Sequence, residues 1–507
     1  MAQGFYKLDV KDAQFPLLSE QQTRTVITSG TNQSPPEGER PGLAYCHNVM
    51  PTPEGYNSVG FESVIPAIPG ITVNNPIKDT KPIFCTCGGK ADLSWDSNGH
   101  AYILTPGALA WKAVPDTVPV TTKPNFSAND VTIATVNGIS YIFHKQRGCF
   151  TYSIPTNKMI HVPLTGLAIS YILGIASAGG YLVAYTTTAL AWSSAIDPSD
   201  FVPSSVTGAG GGNVQDIGGL IQFVTSNDLG LLIYTGTNVV AATVTGNAIS
   251  PFKFRPVSDS KGGLDLDKVA LEANSREQFA YTKAGLQSLT SQVANNILPQ
   301  VTDFLAGRRF EDFDEEALEF TRINLDTNTT MKKKIKYISS RYLVISYGIK
   351  AFTHALIYDT ALNRLGKIKL THTDVFEYVG RQKEISKESV AILLASGEVM
   401  LLDFSVADLS KGVMIFGKLQ HSRTRVLTLL GAEVENVGQF ATNYSIHDLA
   451  AIDGKQEYTI VHGIQSHLAG NIREHVFRVT AKNHSLVLIG RYHIVTILVR
   501  YTNNGRR

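Results

Sequence analysis

The densest group of side chains able to do acid–base chemistry is a run of carboxylates between positions 311 and 319. Its members are Glu311, Asp312, Asp314, Glu315, Glu316 and Glu319. A glycosidase needs two carboxylates that face one cleft at a defined separation. The segment 312–315 is instead typical of a helix N-terminus, where the helix dipole favours acidic residues. We therefore expect a solvated helix face here and not a catalytic pair.

No other motif predicts a nucleophile, a cofactor or a metal ion. The glycine-rich segment 208–213 lacks the Lys-Ser/Thr that follows in a P-loop, so it is interpreted as a blade connection. The histidines lack tight ligand spacing, and those near the C-terminus are His462, His467, His475, His484 and His493. The cysteines do not form paired CxxC knuckles, and they are Cys46, Cys85, Cys87 and Cys149. We expect no enzyme, no cofactor and no metal.

The basic residues predict weak contact with nucleic acid at most. The run Lys332, Lys333, Lys334 and Lys336 is predicted to lie on a hairpin between strands, either as a solvated loop or as a channel-facing, DNA-facing element. The C-terminal segment is also basic, and it contains Lys455, Arg473, Arg478, Lys482, Arg491, Arg500, Arg506 and Arg507 against Glu457 and Glu474. It is interpreted as a solvated surface or as a contact with an acidic partner or DNA. Because the formal net charge is only +2, we expect no global attraction for nucleic acid.

Length and composition favour several β domains. The 507 residues are enough for two to four domains of ordinary size. Charged residues make up only 17% of the chain, and 43 glycines accompany many Thr, Val, Ile and Tyr residues, which favours β structure. No stretch of ~18 apolar residues predicts a membrane-spanning helix. No basic-then-apolar leader predicts secretion, so idle thiols fit assembly in a reducing cytoplasm.

Residues 1–75 are predicted to form an extended N-terminal strap. The prolines and glycines between Cys46 and Phe61 exclude a helix and weaken any central strand. The apolar side chains of this run need a surface on which to lie, and they are Val49, Met50, Tyr56, Val59 and Phe61. We expect the strap to be a packing or assembly element.

Residues 76–415 are predicted to form a β-propeller. Segment 131–164 contains four short strands, and Asn137-Gly138 between the first two is the favoured type I′ hairpin turn. Four antiparallel strands in about 34 residues match one propeller blade. Similar units follow, so we expect about six or seven blades with a short helical insertion near 293–320. Residues 416–507 are predicted to form a C-terminal β-sandwich-like unit, which makes the fold class mainly β.

The order of several short motifs resembles the tail nozzle (tail hub) proteins of short-tailed bacteriophages. In the strap, an asparagine-aliphatic-methionine run and a proline-containing turn lead into a glycine-aromatic-x-serine segment that ends at Ser63. Further similar segments are Trp192-Ser193 with 197–201, 342–347, 356–359, 426–435, 486–490 and 495–500. The resemblance spans nearly the whole chain. It departs from the family at Gly366-Lys367, where relatives often carry a tryptophan.

The resemblance implies a virion structural protein without an active site. Such a protein forms a six-fold nozzle ring below the portal and its adaptor, extends the DNA channel, retains packaged DNA and conducts it during ejection. The implied partners are further copies of the chain, the portal-adaptor protein, tail fibre, spike or needle proteins, and double-stranded DNA held weakly in the lumen. Such a protein is assembled in the host cytoplasm and resides in the virion tail. The alternative that the sequence leaves open is a β-propeller that binds or cleaves host surface polysaccharide.

Overall fold

The computed structural model of the chain consists mainly of β-strands. It describes residues 3–10, 43–72, 74–115, 131–145, 147–247, 250–263, 269–270, 277–307, 309–317, 319–324, 331–378, 387–403, 411–416, 425–436, 444–451, 458–462, 464–469, 472–481 and 484–506. The helices in these residues are short, namely Gln215–Gly218 and Pro299–Ala306, with a 3-10 turn at Ile169–Tyr171. The mainly β class predicted from the sequence is therefore confirmed.

Six antiparallel sheets of four strands lie between residues 60 and 403 of the described chain, and four further antiparallel strands in this range begin an eleven-stranded sheet. We number these four-stranded units as blades 1 to 7. Blade 1 contains Ile77–Phe84, Lys90–Asp96, Ala101–Leu104 and Lys112–Ala113; blade 2 contains Val131–Val136, Ile139–His144, Gly148–Ser153 and Lys158–Val162; and blade 3 contains Gly174–Ala178, Tyr181–Tyr185, Ala189–Trp192 and Gly210–Asn213. Blade 4 contains Ile221–Asn227, Gly230–Thr235, Val239–Val244 and Phe252–Pro256, and blade 5 contains Val269–Ala270, Gln278–Thr282, Gly285–Leu289 and Ala294–Asn296. Blade 6 contains Lys332–Ile338, Tyr342–Gly348, Phe352–Asp359 and Arg364–His372, and blade 7 contains Asp374–Glu377, Lys387–Leu393, Val399–Asp403 and Gly60–Ile65.

The blades form a closed ring. The first strand of blade 2 contacts those of blades 1 and 3, that of blade 3 contacts that of blade 4, and the first strands also meet from blade 5 through blade 6 to blade 7 and from blade 7 back to blade 1. Blades 4 and 5 are joined by Thr225 Oγ1 and the Tyr234 hydroxyl, which donate to Gln278 Oε1 at 2.5 and 3.1 Å. Side chains also bridge neighbouring blades: Thr132 Oγ1 accepts the amide of Ile175 at 2.8 Å, and Ser140 Oγ accepts that of Phe84 at 2.8 Å. Sheets arranged in this way constitute a seven-bladed β-propeller.

Blade 7 combines strands from both ends of the propeller sequence. Its outer strand, Gly60–Ile65, pairs antiparallel with Val399–Asp403, and Phe61 lies opposite Leu402. Because this pairing joins residues more than 300 positions apart, main-chain hydrogen bonds hold the ring closed without a covalent link.

A five-stranded sheet and the remaining strands of the eleven-stranded sheet form the predicted sandwich-like unit. One contains Leu43–His47, Gly412–Phe416, Tyr444–Ala451, Tyr458–His462 and Leu486–Gly490. The other continues from blade 6 through Val49–Pro51, Tyr56–Ser58, His493–Arg506, Arg425–Asn436, Ile472–Ala481 and Ile464–Ala469, with Gln3–Asp9 also paired to His493–Arg506. The buried side chains of Met414, Ile446, Leu488 and Ile497 belong to one core shared by both sheets. Strands from both ends of the chain therefore build this unit.

The apolar side chains of the strap find their surface within the chain itself. Val49 and Tyr56 are fully buried in the core shared with the sandwich, and Met50, Val59 and Phe61 are buried against blades 6 and 7. A Cβ on Gly55 would lie 1.9 Å from the carbonyl oxygen of Ile494, and one on Gly366 would lie 2.6 Å from that of Val49. Glycine at both positions lets the strap backbone approach its neighbours. Residues 11–42 of the predicted strap lie outside the described residues.

The predicted helical insertion is only partly present. Pro299–Ala306 is a helix, but the helix expected to begin near Asp312 is wrong, because Arg309–Asp314 and Glu319–Asn324 form an antiparallel hairpin. Asp314 explains the error. Its Oδ1 accepts the amides of Glu316 and Ala317 at 2.9 Å each, so it closes the hairpin turn with the same short-range bonds that would cap a helix.

Candidate functional site

The lysine run lies on a strand and not on the predicted loop. Lys332–Ile338 is the first strand of blade 6, with Ile335 buried below it. Lys332 Nζ donates to the carbonyl of Lys350 at 2.8 Å, and Lys333 Nζ lies 4.6 Å from the ring centroid of Tyr281. A lysine run is tolerated in a propeller strand here because the aliphatic stems pack and the charges find partners.

Lys334 and Lys336 belong to an ionic cluster between three blades, which we call the axial network: Asp79, Lys81, Lys334, Lys336 and Asp374. Lys334 Nζ lies 2.7 Å from Asp79 Oδ1 and 2.8 Å from Asp374 Oδ1. Lys336 Nζ lies 3.3 Å from Asp374 and 3.6 Å from Asp79. Because Asp79 stands on blade 1, the lysines on blade 6 and Asp374 on blade 7, the network spans the point where the ring closes.

The network is satisfied by its own members. Burial would raise the pKa of Asp79, but the charges of Lys334, Lys336 and Lys81 hold it well below its ordinary value. Burial lowers the pKa of the Lys334 ammonium, and the two carboxylates reverse this effect and raise it. Asp374 Oδ2 also accepts the amide of Thr80 at 2.7 Å. The two carboxylates offset two of the three ammonium charges, so the geometry indicates a structural role; that these lysines face a DNA channel stays a prediction.

A second ionic cluster lies where the hairpin 309–324 meets blade 6 and the strand Leu43–His47. We call it the junction cluster, and it contains Tyr45, His47, Asp312, Glu315, His354, Lys367 and Lys369. Asp312 is at its centre: Oδ1 accepts from the Tyr45 hydroxyl at 2.9 Å and lies 3.3 Å from His354 Nε2, and Oδ2 lies 3.0 Å from Lys369 Nζ.

The tip of the hairpin adds a second carboxylate to this cluster. Glu315 Oε2 lies 3.5 Å from His47 Nε2 and 3.7 Å from Lys369 Nζ. Lys369 Nζ also donates to the carbonyl of Phe313 at 3.0 Å, and Phe313 is fully buried. Lys367 is 3% exposed, with its Nζ 4.3 Å from the ring centroid of Tyr45. The tip is thus fixed by two carboxylates, the buried Phe313 and the ammonium group of Lys369.

Burial and charge shift the titration of this cluster. Burial opposes ionisation of Asp312, but His354, Lys367 and Lys369 hold the pKa of that carboxyl well below its ordinary range. The hydrogen bond with His47 lowers the pKa of Glu315 to about 2. Burial and the charge of Lys367 lower the pKa of His354 to about 4. Burial likewise lowers the pKa of Lys367 to about 8. At neutral pH the cluster therefore holds two carboxylates, two ammonium groups and a neutral His354.

Four carboxylates singled out in the sequence have described side chains, and these four do not come together as a glycosidase pair. Asp312 and Glu315 are engaged with cations of the same chain, Asp314 with the turn backbone, and Glu316 is exposed. The sequence did not indicate Tyr45, His47, His354 or Lys369 as their partners. No short spacing relates these residues to position 312, so no local signal was available.

The remaining candidates are accounted for individually. Gly210–Asn213 is the outer strand of blade 3, and a Cβ on Gly210 would lie 3.2 Å from Trp192 Nε1, which gives the glycines a packing role. His484 Nε2 bonds to the carbonyl of Leu427 at 3.1 Å. The four cysteines are free thiols, of which Cys87 alone is exposed. In the described part of the chain, no group of three or more His, Cys, Asp or Glu side chains is suited to hold a metal ion.

The basic C-terminal segment is described only in part. Arg500 Nε lies 3.6 Å from Glu433 Oε1 across neighbouring strands, and Arg478 lies on an exposed position. Lys455, Lys482 and Arg507 lie outside the described residues. Within those that are described, no helix is long and apolar enough to span a membrane.

Comparisons with known proteins add only solved structures. No family model and no curated protein matches the chain. Among solved structures, it is similar to YCF48 bound to a D1 peptide, with 11% identity, 70% of this chain and 98% of that one covered, and a TM-score of 0.36. For the structure of U3-55K, the identity is 8%, 68% of this chain and 98% of that chain are covered, and the TM-score is 0.40. For the WD40 β-propeller domain of Doa1, the identity is 8%, 68% of this chain and 97% of that chain are covered, and the TM-score is 0.34.

Proposed function

We propose that this chain is a structural subunit of a bacteriophage tail, forming the nozzle ring that extends the DNA channel below the portal and its adaptor. The observation that supports it is the position of the resembling motifs. The segment from Asn48 to Ser63 carries the resemblance, and it is also the segment that runs from the sandwich into the outer strand of blade 7. Its residues thus hold the sandwich and the propeller together. Such a connection suits a subunit of a particle that must withstand mechanical force.

The proposal assigns the chain a mechanical role and no catalysis. DNA that must slide through a tail requires a wall with little phosphate affinity, because each neutralised phosphate adds to the binding free energy. The near-neutral net charge and the pairing of Lys334 and Lys336 with carboxylates both reduce that affinity. In this role the subunit contacts its own copies, the adaptor above and the fibre, spike or needle proteins beside or below it.

Electron microscopy of the purified full-length protein, and of particles that contain it, tests the proposal. We expect closed rings with a continuous lumen, and a ring at the tail position of the particle. A monomer that binds or cleaves bacterial surface glycans in a glycan-binding assay would contradict the proposal and favour the polysaccharide alternative.

A further inference from the structure

The tip of the hairpin 309–324 holds it to the body of the protein through Asp312, Glu315 and the buried Phe313. Its strands, Arg309–Asp314 and Glu319–Asn324, form a two-stranded sheet that no other described strand extends. A two-stranded hairpin is marginally stable alone. Its position therefore depends on contacts outside the sheet. Among its described side chains, Asp312 and Glu315 form ion pairs with the rest of the protein.

The charges at the tip balance only while the histidines are neutral. Asp312 and Glu315 face Lys367 and Lys369, two anions against two cations. Neutral His354 is satisfied at both ring nitrogens, since Nε2 can donate to Asp312 at 3.3 Å and Nδ1 can accept from the Thr353 hydroxyl at 2.9 Å. A proton on this ring adds a cation to a buried site that already holds Lys367.

We infer that the hairpin tip and the junction cluster form an acid-sensitive latch, which is closed at neutral pH and opens as His354 and His47 take up protons. The inference does not depend on the proposed function. The titratable groups that face the tip are Tyr45, Cys46 and His47 on Leu43–His47, Tyr347 and His354 on the second and third strands of blade 6, and Lys367 and Lys369 on its fourth strand. Burial raises the pKa values of Tyr45, Cys46 and Tyr347, so these three stay neutral in the acid range.

The direction of the effect follows from the folded and free pKa values. His354 titrates at about 4 when the latch is closed, and at ~6.5 when it is free in solvent. The open state therefore binds the proton more tightly, and stability of the closed state is lost as the pH falls from ~6.5 towards 4. For this one histidine the opening constant rises roughly 20-fold between pH 7 and pH 5. Burial also lowers the pKa of His47, which adds in the same direction.

The carboxylates extend the effect below this range. The pKa of Glu315 is lowered to about 2, and that of Asp312 is lowered further, so their stabilising contribution is complete above their ordinary values. It is lost only as the pH falls below ~4. Protonation of the histidines and of the carboxylates thus favours opening as the pH falls. The histidines take up protons at higher pH than the carboxylates do.

Hydrogen–deuterium exchange of the full-length protein tests the latch. Exchange of peptides covering 309–324 is measured at pH 7, 6 and 5, corrected for the intrinsic pH dependence of amide exchange, and compared with peptides from blade 3. We expect hairpin exchange to rise roughly 20-fold or more relative to blade 3 between pH 7 and pH 5. A ratio that stays constant over this range overturns the inference, and this measurement requires no variant.

Substitutions identify the groups responsible. His47→Gln with His354→Gln removes the titration, so the hairpin should stay protected at pH 5; opening in this variant that equals the wild type overturns the inference. Asp312→Asn should raise hairpin exchange already at pH 7. The matched control is Glu316→Gln, which removes an exposed carboxylate of the same turn and should leave the wild-type pH dependence. Unchanged exchange in blade 3 shows that each variant keeps the propeller fold.

Discussion

At the scale of single residues, Lys367 stands out because its charge is buried without a close carboxylate. Among the described residues, none places a carboxylate oxygen within 4 Å of its Nζ, which lies over the ring of Tyr45. Burial lowers the pKa of this amine to about 8. Its positive charge therefore costs stability at neutral pH, while it helps to keep His354 unprotonated.

Lys367→Met should stabilise the protein at pH 7, because it replaces a buried cation by an apolar side chain of similar length. In the wild type, the loss of stability caused by the buried charge declines as Lys367 loses its proton above pH 8. The difference in the free energy of unfolding between variant and wild type should therefore shrink by about 1.4 kcal/mol between pH 7 and pH 9. Urea unfolding at both pH values measures it. Lys350→Met, at an exposed position of the same blade, is the control and should show no such change.

Lys334→Met should destabilise the protein by about 3–5 kcal/mol, because it leaves the buried carboxylates of Asp79 and Asp374 without their nearest cation. Lys332→Met removes a lysine of the same strand whose Nζ donates to the carbonyl of Lys350, and it should cost under ~1.5 kcal/mol. Denaturant unfolding compares the two. Equal losses in both variants would show that the axial network does not hold the ring.

Residue-level partners were the part of the structure that the sequence could not predict. The run Lys332 to Lys336 was noticed, but Lys334 and its partner Asp79 are 255 positions apart. The same holds for Asp312 and Tyr45, which are 267 positions apart. Charge pairing at such separations depends on ring closure, and no local pattern encodes it.

At the scale of elements, local turn chemistry predicted most of what was correct. In blade 2 the strands expected around Asn137-Gly138 are present as Val131–Val136 and Ile139–His144, and both turn residues have positive φ, 50° and 76°. The same turn chemistry led to the wrong prediction of a helix at Asp314, because an aspartate accepts nearby amides equally in a helix cap and in a hairpin turn. The preceding Phe313 decides the outcome, because its burial requires an extended strand that reaches the junction cluster.

Gly55→Ala tests how closely the strap must approach the sandwich. The added Cβ would lie 1.9 Å from the carbonyl oxygen of Ile494, so the backbone must shift and the strap should loosen, at a cost of about 2–4 kcal/mol. Gly236→Ala is the matched control, because open space surrounds that position and no left-handed φ is required. It should be neutral to slightly stabilising. Thermal melts that shift equally in both variants would contradict the close approach.

At the scale of the whole molecule, the propeller is inserted into the sandwich. Strands before residue 60 and strands after residue 411 build the two sandwich sheets, and the blades lie between them in sequence. The predicted order of strap, propeller and C-terminal unit followed the chain, whereas the sheets join its two ends. Sequence periodicity reports which segments are strands, but it does not report which distant strands pair.

Deletion of residues 1–65 should abolish folding, because it removes strands from both sandwich sheets and the outer strand of blade 7. Deletion of residues 1–10 is the control: it removes only the edge strand Gln3–Asp9 from the described sheets, and the protein should stay soluble. Soluble yield and size-exclusion chromatography measure both. A soluble, folded 1–65 deletion would show that the blades close without the strap.

The pairing of Gly60–Ile65 with Val399–Asp403 also has a consequence for synthesis on the ribosome. The first strand emerges early and must wait for about 330 further residues, which takes roughly 20 to 70 s at 5–20 residues per second. During that interval the nascent chain exposes an unpaired strand and an open ring. A prematurely terminated chain never gains the missing edge, so only complete chains escape the chaperones and proteases that recognise such surfaces.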